Sequence, residues 1–290
     1  MGVKQILVIF AVVVLVGCGK ITTPAEPETN AEPTPAEKVA ADKATAEKAI
    51  AVKKVADEAQ ANAFVNTLGM KFVPVSGTEV QFCIWETRVK DYAAYAAANA
   101  GVDRKWETRP PFKQADTHSV VYVNWEDAQA FCAWLTKKEL AEGEIKVGQK
   151  YRLPTDAEWT VAVGLGKEKG NTPEEKQSGI KGVYPWGKEW PPPKKAGNYH
   201  ESLKVDKFRY TSPVGSFAAN KLGLHDMGGN VWEWSEDWND PAAKEGRVLR
   251  GASFGNINPD RLLSSYRLKV SFGRVPFIGF RCVLVGGSGE

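Results

Sequence analysis

Histidine is scarce: the chain has only three, His118, His200 and His225, in separate segments with no HxH or HExxH spacing. A non-haem iron centre or a zinc hydrolase built on clustered imidazoles is therefore not written into it. A Ser-His-Asp arrangement stays open, but no strand-to-helix nucleophile elbow presents a serine. Charge of one sign is lacking too. The formal net charge is +3 over 290 residues, and no Lys/Arg stripe with interleaved aromatics offers a grip on nucleic acid. The longest apolar run, Ile6 to Val16, is too short to span a bilayer as a stable helix. Cysteine is limited to Cys18, Cys83, Cys132 and Cys282, with none between the last two.

What is present divides the chain into three parts. Residues 1–17 read as a signal peptide, with Lys4 supplying the positive start and "LVGC" (Leu15 to Cys18) closing the apolar run. Gly17-Cys18 resembles a bacterial lipobox. That resemblance implies lipidation of Cys18, which would anchor an exported protein, and Gly19 after it points to the outer membrane or cell surface. The alternative is a plain secretory signal with an incidental cysteine. Residues 18–63 read as a tether. "TTPAEPETNAEPTPAE" is too poor in apolar residues to fold, whereas "KVAADKATAEKAIAVKKVADEAQANA" favours helix without a sustained heptad seam. A stalk acting as a spacer is expected, with weak self-association as the other reading.

Residues 64–290 read as one mixed α+β domain. "MKFVPV" and "VQFCIW" have strand character around the turn-former "SGTE". A helix is expected over "ETRVKDYAAYAAANA", with Val89, Tyr92, Ala93 and Ala96 on one face. A second follows Asn124 as N-cap, burying Ala128, Phe131, Cys132 and Leu135. A third begins at Thr155 with a Thr155/Glu158 capping box and stops near Gly164. Regular periods then fade, and Gly, Pro, Asn and Trp dominate through Asp240. Long loops of this kind need pins; metal, a disulfide and the packing of the ten tryptophans are the candidates. "RVLRGASF" and "IGFRCVLV" are the expected closing strands.

In order, "SVVYVNWEDAQAFCAWL", "YRLPTDAEW", "YPWG", "SPVGSFAANKLGLHDMGGNVWEWSEDW", "RVLRGASF" and "GFRCV" resemble the formylglycine-generating enzyme (sulfatase-modifying factor) family over nearly the whole domain. The resemblance implies a C-type-lectin-like fold, poor in regular secondary structure and stabilised by calcium. Catalytic members hold copper with a cysteine pair just after the motif that "GASF" matches here. The first cysteine position falls on Asn256 and no second candidate exists, so no copper is expected, because Cu(I) demands thiolates. The implied structural calcium ligands are Asn198, Tyr199, Asp206 and Phe208 in one set, and Asp226, Gly229, Val231 and Glu233 in another. Side-chain oxygens and backbone carbonyls are the ligands this ion takes. The family disulfide would join Cys132 to Cys282, although spacing alone leaves pairings with Cys83 open.

With copper chemistry set aside, the non-periodic stretches around Gly255–Asp260 and Leu268–Phe277 are the candidate ligand face. Ser253, Gly255, Asn256, Ile257, Asn258, Asp260, Leu268, Val270, Phe272, Val275 and Phe277 compose it, supported by Trp234. The alternative is that the apolar members point inward. A constant frame around two irregular loops is also similar to the variable proteins of diversity-generating retroelements, whose adenine-directed codons exclude Lys; only Lys269 breaks that restriction. The leading expectation is a non-catalytic, surface-tethered lipoprotein binding a protein or surface ligand, with no nucleic-acid partner. The alternatives are a periplasmic oxidase-type enzyme with an altered site, or an envelope component in which the tether does the work.

Overall fold

The computed structural model describes residues 34–271 and 273–286; the expected signal peptide, Cys18 and Phe272 lie outside the described residues. The chain falls into two units, residues 1–44 and 45–290. Helix α1 (Pro35–Ala61) begins in the first and ends in the second. Two sheets organise the second unit. One has the order β1 (Phe64–Val65), β2 (Lys71–Pro74), β3 (Val80–Cys83), β9 (Val283–Val285), β4 (Lys150–Arg152). The other runs β7 (Leu268–Val270), β6 (Glu245–Arg250), β5 (Trp232–Asp240), β8 (Ile278–Gly279).

The three expected domain helices form. In α2 (Val89–Ala98), Tyr92 and Ala96 are buried together with Tyr95, while Val89 and Ala93 are half-buried. A single turn, α3 (Lys105–Thr108), follows and sets Trp106 against Tyr92. Asn124 caps α4 (Trp125–Glu142): its side chain accepts from the Asp127 N–H, and the Asp127 carboxylate accepts from the Asn124 N–H, both at 2.9 Å. The stripe Ala128, Phe131, Cys132 and Leu135 is buried as expected, and Gly143 ends the helix in a left-handed conformation. Thr155 and Glu158 form the box that opens α5 (Asp156–Ala162). Between α5 and β5 the chain forms only the short α6 (Pro173–Lys176) and a 3-10 turn at Glu201–Leu203, as the loss of periodicity foretold.

Three differences stand out. "IGFRCVLV" is two strands in different sheets, β8 and β9, and the irregular Phe280–Cys282 bridge between them is fully buried. "WEWSEDWND", which reads as loop, is the central strand β5. Its acids and lack of β-branched residues hide it, yet it pairs with β6 and β8 and buries Trp232 and Trp234. Finally, α1 is more than a spacer. From Thr45 on, its Val52, Ala56, Ala59 and Gln60 lie at helical spacing, and Ala56 is only 3 % exposed. Gly223 lets this small-residue face approach, since a Cβ there would meet Ala56, Ala59 and Gln60 at 3.3 Å. Gln60 Nε2 then donates to the Gly223 carbonyl at 2.7 Å and meets His225 Nε2 at 3.0 Å.

Candidate ligand-binding face

The stretch from Arg250 to Arg267 leaves β6, loops out and returns to β7. Both ends are held by one carboxylate. Arg250 Nη1 donates to Asp156 Oδ1, and Arg267 donates to both Asp156 oxygens at 2.9–3.1 Å. Arg267 also forms a bidentate pair with Glu168 at 2.6 and 2.8 Å. Both arginines are fully buried. The first turn of α5 thus serves more than its own helix, because it presents Asp156 to a loop far along the chain. Burial pushes the Asp156 and Glu168 carboxyls up, but the guanidiniums outweigh it and hold both below the ordinary carboxylate range.

Inside this clamp, Ser253 and Asn256 are buried and form a tight turn. Asn256 Oδ1 accepts from the Ser253 N–H at 2.9 Å and from its hydroxyl at 3.0 Å. Gly251-Ala252-Ser253-Phe254-Gly255 has G-x-S-x-G spacing. Ser253 is nevertheless buried, and the turn leads to a 3-10 turn at Pro259–Leu262, not to a helix. It is no nucleophile elbow. Gly255, Ile257, Asn258 and Asp260 are exposed, Ile257 at 46 %, and Asp260 lies 3.7 Å from Lys181.

Beneath the tip lies an aromatic group that the sequence does not mark. Phe112 stacks on Tyr210 (4.5 Å between centroids, 9° between planes), and Phe254 meets both edge-on at 5.8–5.9 Å. All three are half-buried. A second omission is Asn230, whose atoms bond to five segments. Its carbonyl accepts from Phe254 N–H and its N–H donates to the Asn198 carbonyl. Its side chain bonds Asn198, Ser212, Ser119 and Glu86. Its left-handed φ of 56° has one sequence correlate, an asparagine directly after two glycines in "GGN".

The second stretch sits differently. Leu268 and Val270 belong to β7, and with Val275 they are half-buried against the core. Phe277 is 37 % exposed. Arg274 pins the segment to Asp127 at 2.6 and 2.8 Å, and Tyr122 N–H donates to the Val275 carbonyl. No hydrogen bond or ion pair joins the two stretches among the described residues. Trp234 is core: it is buried, and its indole N–H donates to the Val123 carbonyl at 3.0 Å. It presents no surface to a ligand. Trp232 is buried as well.

The two calcium sets differ in their fit. In the first, Asn198 Oδ1 is a buried acceptor without a donor, and Asp206 closes its turn by accepting from Tyr199 and Phe208 N–H at 3.1 and 2.7 Å. A bare acceptor and a carboxylate from one loop are the donor types that suit a hard cation. In the second, Asp226 keeps one buried oxygen without a donor, but Glu233 is already neutralised. Arg281 donates to both its oxygens at 2.6 and 2.7 Å, and Trp159 adds a third bond at 3.1 Å. Glu86, near Asp226 and Glu233, accepts from Val231 N–H; burial, then those two carboxylates, push its carboxyl well above the ordinary range.

Cys132 and Cys282 sulfurs lie 3.5 Å apart, both buried as free thiols. Cys83 N–H donates to the Cys282 carbonyl, and burial pushes the Cys83 thiol up to about 12. None of these sulfurs belongs to the Ser253–Asn256 turn. The histidines are likewise apart: His118 bonds Thr211, His200 accepts from Ser202 N–H, and His225 faces Phe217 and Gln60.

Residues 12–285 match the family described as sulfatase-modifying factor enzyme 1-like domain. The chain belongs to this family. It is 34 % identical over 179 residues to inactive C-alpha-formylglycine-generating enzyme 2 of Mus musculus, covering 58 % of this chain and 49 % of that protein. The formylglycine-generating enzyme of Thermomonospora curvata is 29 % identical over 239 residues, covering 72 % of this chain and 67 % of that one. The chain thus spans about half the length of the mouse relative. Among solved structures, PvdO from Pseudomonas aeruginosa (TM-score 0.55, 21 % identity) and Treponema denticola variable protein 1 (TM-score 0.51, 19 % identity) each cover 77 % of this chain and 98 % of their own. The fold of this sulfatase-modifying-factor domain is therefore the C-type-lectin-like α+β architecture, and the likeness extends to a variable protein.

Proposed function

We propose that this family member is a non-catalytic ligand-binding lipoprotein, tethered at the cell envelope through Cys18, whose Gly255–Asp260 tip contacts a protein or surface ligand. One observation carries the reading. Asn256 stands at the position of the first copper thiolate, and its side-chain oxygen is spent on Ser253 within a buried turn. An amide in that state offers no soft donor to a redox metal. The clamp supports the rest: a loop fixed at its base and exposed at its tip is a binding element on a rigid frame. Phe277 and the half-buried Val275 would add to the contact area of the tip. Calcium, held by Asn198 and Asp206, would pin the Gly197–Tyr210 loop beneath Phe254. Diversification of the tip is compatible with its exposure. The test is oxygen consumption by the purified chain with copper and a cysteine-containing sulfatase peptide: no turnover is expected, and measurable peptide oxidation overturns the reading.

A further inference from the structure

A cavity of about 530 Å³ lies between the residue 45–61 part of α1 and the loops at 183–187, 195–197 and 217–222. Its walls include Tyr184 and Trp186, stacked at 4.8 Å with 2° between planes, and Phe217. Three lysines, Lys48, Lys195 and Lys221, line it as well and are exposed. Among the described residues, none of their ammonium groups is in an ion pair. The one carboxylate in its lining, among the described residues, is Asp226, which is 6 % exposed, with one oxygen buried and the other accepting from the Gly215 N–H. The lining thus joins an aromatic, apolar wall to an unopposed positive rim.

We propose that this cavity is a binding site for an amphiphilic anion, an aromatic or acyl body with one acidic head group, and that α1 forms its removable wall. The body lies along Tyr184 and Trp186, where apolar burial favours it, while the rim lysines attract the head group. Lys48 and Val52 come from α1, so the site is complete only while α1 is docked. That docking is slender. It rests on Ala56, the half-buried Val52 and Ala59, and the Gln60 bonds, and an Ala-rich segment stays helical when released.

The test uses the full chain and the fluorescent anion 1-anilinonaphthalene-8-sulfonate, with its sulfonate-free parent as the neutral control. Stoichiometric binding of the anion to the native chain is expected, at least about tenfold tighter than the neutral probe. Lys195→Glu with Lys221→Glu should weaken it about tenfold, the size expected when two exposed attractions become repulsions. Gly223→Val, whose side chain meets α1, should weaken it with the lysines intact. Hydrogen exchange should slow in residues 183–187 and 217–222 on binding. Absence of binding, equal affinity for the neutral probe, or affinity unchanged in the lysine variant overturns the proposal. Binding unchanged in Gly223→Val removes α1 from the site. None of these outcomes bears on the turn at Ser253 or on its expected lack of copper.

Discussion

Asp156→Ala tests the loop clamp most directly. The substitution removes the acceptor of at least four charge-assisted bonds from two guanidiniums that are fully buried. Arg267 keeps its bidentate contact with Glu168. Arg250 keeps only the Ser264 carbonyl, a long contact to Thr160 and the Trp159 ring at 4.4 Å. It becomes a buried cation without a direct anion, a change that costs about 3–5 kcal/mol. For a domain of this size that is a fall of roughly 10 °C in Tm. Asp156→Asn, which keeps shape and one acceptor, should lie at the lower end. The pH dependence follows from depressed carboxyls. The contribution is complete above the ordinary carboxylate range near 4 and is lost as pH falls through the lower folded values. Urea unfolding of wild type and Asp156→Asn between pH 7 and 3 should therefore converge in acid. Hydrogen exchange at 251–266 should also rise in both variants at neutral pH. A neutral-pH loss no larger than that of a surface pair such as Lys138–Glu142 refutes the clamp.

Three further outcomes are expected. Calcium should raise Tm in proportion to the logarithm of its free concentration over the dissociation constant, and Asn198→Ala with Asp206→Ala should abolish that rise; an unchanged rise relocates the ion. Protein purified from an oxidising compartment should show Cys132 joined to Cys282 by non-reducing peptide mass mapping, with about 4–5 kcal/mol lost on reduction; free thiols at both positions refute the pairing. Glu86→Gln should gain stability relative to wild type as pH rises. Because the Glu86 carboxyl is raised, its contribution holds in acid and is lost as pH climbs through the folded value; a difference independent of pH refutes the assignment.

Local signals were legible wherever they act over one turn of chain. Asn124 and Thr155 announced their helices because a cap and its partner sit three residues apart. The apolar stripe of α4 was equally plain. β5 was not, because its strand character comes from β6 and β8 on either side rather than from its own residues. The Asp156 clamp was invisible for a similar reason: an acid in the first turn of a helix has a sufficient local explanation, and its arginine partners lie far along the chain. Trp234 was misplaced because aromatic residues serve cores and surfaces alike, and only the Val123 contact decides. The exposed Gly255–Asp260 tip was found from its lack of period, but Phe112 and Tyr210 beneath it come from segments with no such mark.

A docked α1 also bears on geometry at the membrane. If Cys18 is acylated, the helix face around Ala56 fixes the point at which the leash leaves the globule. On that proposal the leash would end at Thr45, and peeling α1 away would lengthen it by the residues up to Ala61. A contact made of alanine methyls, one valine and one glutamine yields to modest pulling, so four residues decide whether Thr45 to Ala61 counts as globule or as leash.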